Sequence, residues 1–211
     1  MRAMTLEAMK SVELEIMDEI DAICRQHGLT YFLGYGSVLG AVRHGGFIPW
    51  DDDMDVIMPR DDYEQLIAHF DEWRTSATFE LKFCRDGHSI YQFTKITDRR
   101  TLVKERFVDK KYLTGVWVDI FPLDGIPVDI KKVFRKNALL TIALSISHSD
   151  PSQATTPLLK VLKRMLAPAT KRVNPSRIER LIDDNARLSA KTDEQAYLDI
   201  VSMADPSIVQ P

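Results

Sequence analysis

The sequence predicts an α+β fold: a small mixed sheet with flanking helices, followed by a C-terminal helical subdomain. Three observations carry this. Up to about residue 127, short apolar runs bounded by Gly, Pro and Asp alternate with amphipathic stretches. From Val128 onward the pattern is helical, punctuated by Pro151, Pro157, Pro168 and Pro175. A chain of 211 residues, 45% hydrophobic and 28% charged, is an ordinary globular composition long enough to bury a sizeable core. The expected organisation is therefore a core over residues 1–127 and a helical subdomain over 128–211.

The elements follow in order. Residues 4–26 form an amphipathic helix, because Met9, Val12, Ile16, Ile20 and Ile23 recur at three- and four-residue spacing. Gly28 is placed to end it. Residues 30–34 are aromatic and apolar and read as a strand. A short helix runs from Gly36-Ser37 to about Val42. His44-Gly45-Gly46 breaks it, and Pro49 keeps the following chain extended. Residues 53–58 are the next strand. Pro59 and Asp61 start a helix whose buried face is Tyr63, Leu66, Ile67 and Phe70. Strands over 79–84 and 89–96 flank the turn residues 85–88, a hairpin pattern. Residues 101–107 and 116–121 are further strands. Helices are expected at 131–148, 157–167, 174–189 and 193–203.

Composition narrows the function. A net charge of -3 gives no polyanion signal, so nucleic acid is not an expected partner. The charge is uneven, however. Residues 131–180 hold eleven Lys/Arg against two acids, Asp150 and Glu179. Such a basic stretch faces either an anionic substrate or membrane surface, or simply solvent. Cys24 and Cys84 fit an apolar helix face and the end of an apolar strand, so both read as small core residues without metal spacing. The start of the chain has no signal-peptide pattern, since Glu7, Glu13 and Glu15 interrupt any apolar run. The longest apolar-leaning stretch, 138–146, is far short of the ~20 residues of a membrane span.

One segment carries chemistry. Asp51, Asp52, Asp53 and Asp55 fall within five positions, immediately before the apolar Val56-Ile57-Met58. Crowded carboxylates at a strand end repel one another and lose hydration. A divalent cation relieves both, and hard cations such as Mg²⁺ or Mn²⁺ take carboxylate oxygens. If the strand reaches back far enough, its alternation puts Asp51, Asp53 and Asp55 on one face and turns Asp52 away. Two such carboxylates hold ions that neutralise phosphate oxygens in an in-line displacement. Upstream, Gly36 admits close backbone approach, and Ser37 opens a helix whose N-terminus favours anions. The order strand, Gly-Ser, short helix, Asp-x-Asp strand is more specific than either half.

A third acid is expected. Asp119 sits within the apolar run Val116-Trp117-Val118-Asp119-Ile120-Phe121, where it needs a partner. Asp124, next to Gly125 and after Pro122, is the alternative in a turn context. Arg43 and Lys95 are candidate phosphate cations, Arg43 the better placed because it lies inside the motif. His44 is an acid/base candidate or a loop cap. Tyr35 and Trp50 are aromatic candidates to stack on a base, though core packing is the expected use of both.

The run from Tyr35 to Val56, with Gly36-Ser37, Leu39-Gly40, Arg43-His44-Gly45-Gly46-Phe47-Ile48-Pro49-Trp50 and the aspartates, resembles the LicD family. Trp117-Val118-Asp119-Ile120-Phe121-Pro122-Leu123-Asp124 resembles a second block of it, and Lys95 falls where a family lysine is common. The resemblance covers roughly residues 5–130. It implies a nucleotidyltransferase-like fold and a Mg²⁺-dependent phosphotransferase. The implied donor is a nucleotide-diphospho-alcohol such as CDP-choline, and the acceptor a cell-surface glycan or lipid-linked glycan. On this reading Asp51, Asp53, Asp55 and Asp119 are catalytic, with Asp53, Asp55 and Asp119 holding the metal. Gly36, Ser37, Arg43 and Lys95 bind the donor. The implied location is cytoplasmic, peripheral at the inner face of the membrane. Nucleotidyl transfer at the same site, or an inactive nucleotide-binding module, are the alternatives. Family members carry a Tyr-Gly-Asp … Leu-Pro-Pro type block near the C-terminus. This sequence ends at Ile208-Val209-Gln210-Pro211 without it, which reads as a fragment or a shortened member.

Overall fold

A computed structural model describes residues 4–86, 89–104, 113–125, 129–148, 161, 165, 174–189 and 197–198. The chain forms two compact units. The first holds residues 1–82, 93–103 and 114–123, and the second 83–92, 104–113 and 124–211. Residues 83–92, expected within the sheet-forming half, instead group with the second unit.

In the first unit, helix α1 (Leu6–His27) is capped by Thr5, whose hydroxyl accepts the Ala8 N–H at 3.2 Å. Gly28, left-handed at φ 70°, ends it with an N–H bond to the Cys24 carbonyl. The buried face holds Ile16, Met17, Ile20, Ile23 and Cys24, with Glu13 and Glu19 among them. Strand β1 (Phe32–Leu33), helix α2 (Tyr35–His44), strand β2 (Asp55–Pro59) and helix α3 (Arg60–Trp73) follow. Strands β3 (Phe79–Lys82), β4 (Thr94–Asp98) and β5 (Trp117–Gly125) complete a five-stranded mixed sheet, ordered β1-β2-β5-β4-β3. Only β2 and β5 run parallel, and the intervening α3, β3 and β4 supply the crossover that a parallel pair requires.

Helices α1 and α3 bury the core with the sheet. Ile16 and Ile20 of α1, Tyr63, Leu66 and Phe70 of α3, and Val56, Met58, Ile96, Val118 and Ile120 of the strands are essentially water-free. Tyr63, the largest of these, has its hydroxyl 2.9 Å from Thr94 Oγ1, so its polar end is satisfied inside the core. The helix ends meet where His27 stacks on Trp73, ring centroids 3.8 Å apart.

Several boundaries differ from the sequence reading for local reasons. β2 begins at Asp55, not Asp53, because the Asp51 N–H closes a turn onto the Ile48 carbonyl at 3.0 Å. β3 and β4 do pair antiparallel, but β3 ends at Lys82 and a single 3-10 turn, Cys84–Asp86, lies between them. Residues 101–104 are not a strand. Thr101 instead accepts the Val116 N–H on its hydroxyl at 2.7 Å, and Val103 N–H bonds Thr114.

In the second unit, helices α4 (Ile130–His148) and α5 (Pro175–Ser189) bury Val133, Ile178, Ile182 and Ala186 between them. Asn185 donates to the Val133 carbonyl and to Asn137 Oδ1. The Cys84–Asp86 turn packs on α5, where buried Asp183 pairs with Arg85 at 2.5 Å. A two-residue strand β6 (Tyr197–Leu198) pairs with the end of β5, inside the segment expected to be helical over 193–203. The 157–167 helix lies outside the described residues except at Val161 and Met165, both helical.

Gly115 fixes the approach to β5. A Cβ there would lie 1.8 Å from the Asp98 carbonyl oxygen and 2.7 Å from Thr101 Oγ1. Gly115→Ala is therefore expected to remove ~3 kcal/mol or more of stability. Chemical denaturation checks this, and a loss under ~1 kcal/mol would show that the Asp98 turn relaxes freely.

Candidate functional site

The site forms where β1 turns into α2 beside the start of β2. Gly34 N–H bonds the Asp55 carbonyl at 2.9 Å. Tyr35 then takes φ 44°, unusual for a side chain of this size, and swings the chain into α2. Gly34 offers no side-chain cap, so the first N–H groups of α2 keep their pull on negative charge. Ser37 Oγ accepts the Asp55 N–H at 2.8 Å and locks the N-terminus of α2 to the first residue of β2. Gly36 has a second reason to lack a side chain. A Cβ there would meet Asp51 Oδ2 at 2.7 Å, so glycine lets that carboxylate lie against the helix.

Sheet register assembles the rest. Asp55 on β2 is directly beside Asp119 on β5, and Asp119 is beside Lys95 on β4. Register neighbours project to the same face, so two acids and a lysine form one row. Asp119 N–H also bonds the Met54 carbonyl at 2.9 Å. Trp117 Nε1 donates to Asp119 Oδ2 at 3.1 Å. Lys95, only 3% exposed, holds its ammonium 3.3 Å from Asp119 Oδ1 and 3.7 Å from the Trp117 ring centroid. That approach lacks hydrogen-bond geometry, so Asp119 Oδ1 is buried without a hydrogen-bond partner among the described residues. Before β2, one carboxylate oxygen from each of Asp51, Asp52 and Asp53 lies within 4.8 Å of the others.

The structure thus brings together Gly36, Ser37, Asp51, Asp53, Asp55, Asp119 and Lys95. It separates Arg43, exposed in the last turn of α2 at the end opposite Ser37. Asp52 does not turn away as strand alternation suggested, because residues 51–54 are not strand and the three consecutive acids gather instead. Asp124 lies in β5 itself, not in a turn, five residues past Asp119 and so on the opposite face. Trp50 and Tyr35 are 73% and 47% exposed, so neither is a core residue. His44 is exposed, its ring edge-on to Trp50.

A further residue was passed over in the sequence. Glu13 is 1% exposed on α1 and lies within electrostatic reach of Asp52, Asp53 and Asp119. Its signal was present: Glu13, Ile16 and Ile20 share helical spacing, so an acid occupies the apolar face.

Comparison with known proteins places this arrangement. The family described as LicD/FKTN/FKRP, nucleotidyltransferase domain, matches residues 28–163, which include every element of the site except α1. The chain belongs to the LicD family. It is 36% identical over 138 residues to the lipopolysaccharide cholinephosphotransferase LicD of Haemophilus influenzae, covering 64% of this chain and 50% of that protein. An uncharacterized protein of Rickettsia prowazekii is 32% identical over 72 residues, 33% of this chain and 27% of its own length. The chain spans half or less of the length of these curated relatives.

Electrostatic strain marks this LicD-family site. Burial first, then the negative charges of Asp53, Asp119 and Asp51, push the Asp55 carboxyl up to about 7. Burial raises Asp119 to about 6 against the opposing pull of Lys95. Burial, with Asp53 and Asp52, raises Glu13 to about 8. Asp53 is raised by burial and by its aspartate neighbours. In every case the folded protein holds the proton more tightly than the unfolded chain. Their contribution to stability is therefore full below about pH 4 and is lost as pH rises through 6 to 8. The metal-free protein should melt about 5 °C or more higher at pH 5 than at pH 8.5. Thermal unfolding in chelator checks this, and a melting temperature that rises over the interval would refute it.

Proposed function

We propose that this LicD-family chain is a metal-dependent phosphotransferase. It moves a phosphorylated alcohol, phosphocholine from CDP-choline, onto a cell-surface glycan or lipopolysaccharide precursor. The observation that carries the reading is the in-register pair Asp55–Asp119, joined to the Asp51–Asp53 cluster and abutting the open N-terminus of α2. The similarity to a lipopolysaccharide cholinephosphotransferase supports the choice of group and acceptor.

The residues fit a divalent cation. The donor set is all carboxylate, and Asp119 Oδ1 is buried without a hydrogen bond among the described residues. Asp53, Asp55 and Asp119 would hold Mg²⁺ or Mn²⁺, assisted by Asp51 and Asp52. The ion would neutralise the donor's phosphate oxygens and the leaving nucleotide. The protein's own groups do the remainder. The N–H groups of α2 and the Ser37 hydroxyl orient the diphosphate. Lys95 holds Asp119 in place and offsets its charge. Tyr35 and Trp50, exposed beside the cluster, offer faces to the nucleobase. Asp51 and Asp53 are half-buried, open enough to take the proton of the acceptor hydroxyl. The acceptor oxygen bonds to phosphorus as the bond to CMP breaks.

Labelled CDP-choline and CTP, each with a lipopolysaccharide or glycan acceptor, separate the readings. Labelled acceptor with CMP release supports phosphocholine transfer. Pyrophosphate released from CTP would point to nucleotidyl transfer, and binding without turnover to an inactive module. Chelation should abolish transfer, and Mg²⁺ or Mn²⁺ should restore it. Asp53→Asn and Asp55→Asn should each lower transfer by ~10³-fold or more, with metal-free stability unchanged or higher. Full activity in Asp53→Asn would sink the assignment.

The lipid-linked acceptor implies a membrane surface. Lys131, Lys132, Arg135 and Lys136 are all exposed on α4, within an arc of one helix face. Among the described residues no helix is long and apolar enough to cross a membrane. Each basic group close to an anionic leaflet contributes about 1 kcal/mol within a Debye length. The chain is expected to co-sediment with anionic liposomes at low salt and to be released by about 0.5 M salt. Sedimentation that ignores anionic lipid at low salt would show these residues to be plain solvated charges.

A further inference from the structure

Two glutamates are buried on α1, and they differ in what they touch. Glu19 is satisfied: it accepts the Thr75 and Ser76 N–H groups and the Thr75 hydroxyl, clasping the loop after α3. Glu13, six residues earlier on the same helix, is buried more completely, at 1% exposure. Its Oε2 has no hydrogen-bond partner among the described residues. The charges that act on it are Asp53, Asp52 and Asp119, the acids of the site, with Lys10 opposing them. An unsatisfied carboxylate oxygen costs ~1–3 kcal/mol or more when buried, so a position without a structural partner needs another account.

The surroundings of Glu13 are held fast. Lys10, one turn before it on the same helix, donates its ammonium to the Ile48 carbonyl at 2.9 Å and the Pro49 carbonyl at 3.1 Å. It also lies over the Phe47 ring. These contacts pin α1 to the stretch that leads into Asp51. The same helix thus fixes the loop that carries the aspartates and holds a buried acid within electrostatic reach of them. We propose that Glu13 is a further carboxylate of the divalent-cation site, supplied by α1 and completing the cluster of Asp51, Asp52, Asp53, Asp55 and Asp119. Its partner is the cation itself or a water that the cation holds. The inference rests on the metal reading above. It adds a ligand from α1, a helix that lies before the matched residues 28–163.

Mn²⁺ binding measured by electron paramagnetic resonance on the full chain tests it, with wild type, Asp53→Asn and Glu13→Gln side by side. Melting temperatures are taken in chelator on the same samples. Wild type should bind Mn²⁺ and Asp53→Asn should bind far more weakly. Glu13→Gln should weaken binding by about tenfold or more while melting no lower than wild type without metal. Gln keeps the shape of the side chain and removes only its charge, so this pairing of results is one that a purely structural role would not give. Wild-type affinity in Glu13→Gln, with Asp53→Asn defective, would overturn this inference and leave the aspartate site standing. Failure of wild type to bind Mn²⁺ would overturn the metal reading and this inference with it. Should Glu13→Gln not fold, Glu13→Met keeps an unbranched chain in the same apolar surroundings and takes its place. Failure of both to fold would assign Glu13 to the core alone and overturn the proposal.

Discussion

The parallel pairing of β2 and β5 is the constraint on which the site depends. It sets Asp55 and Asp119 side by side although 64 residues separate them in the chain. Neither position tolerates much adjustment. A shift of one residue would turn Asp119 to the other face and bring Val118 or Ile120 beside Asp55. The register is held from both ends. Met54 accepts the Asp119 N–H where β2 begins, and the Asp98 turn, closed over Gly115, fixes where β5 begins. Core packing of Val56, Met58, Val118 and Ile120 on the opposite parity then penalises any slip.

Burial and charge pull in opposite directions at this place. The acids are crowded where burial makes charge expensive, and the compensating cation supplied by the protein itself is Lys95. Its ammonium is enclosed by Trp117 and Phe93, an environment in which a lysine needs the carboxylate as much as the carboxylate needs it. Lys95 therefore serves two purposes. It fixes Asp119, and it supplies positive charge to the row of the sheet where the acids meet.

The sequence was informative where chemistry is contiguous and silent where it is assembled from distant elements. The Gly36-Ser37 and Asp51–Asp55 motif stood out because so many acids beside an apolar strand have few structural uses. Asp119 stood out as a charge in an apolar run. The strand read over 53–58 begins only at Asp55, and the alternation carried back to Asp51 fails because the Asp51 N–H closes a turn onto Ile48. That error reversed the side assigned to Asp52. Trp50 was expected in the core because tryptophan usually is, yet the same turn lifts it into solvent. Arg43 lay within the motif by sequence and at the far end of a ten-residue helix in space. Glu13 escaped notice because an amphipathic pattern is read from its apolar members, and an acid among them counts as noise. The helical half was legible as helices in α4 and α5, whereas strand β6 was hidden in a segment whose residues favour a helix.

The exposed setting of Trp50 gives the protein a built-in optical gauge. Of its three tryptophans, Trp73 and Trp117 are half-buried, and Trp117 is engaged by Asp119 and Lys95. Trp50 alone stands in water, one residue from Asp51 and edge-on to the His44 ring. Its indole emission belongs at the red end of the range, because water surrounds the ring. Emission at that end of the range therefore reports on the segment that leads into Asp51, apart from the two half-buried tryptophans and with no label attached.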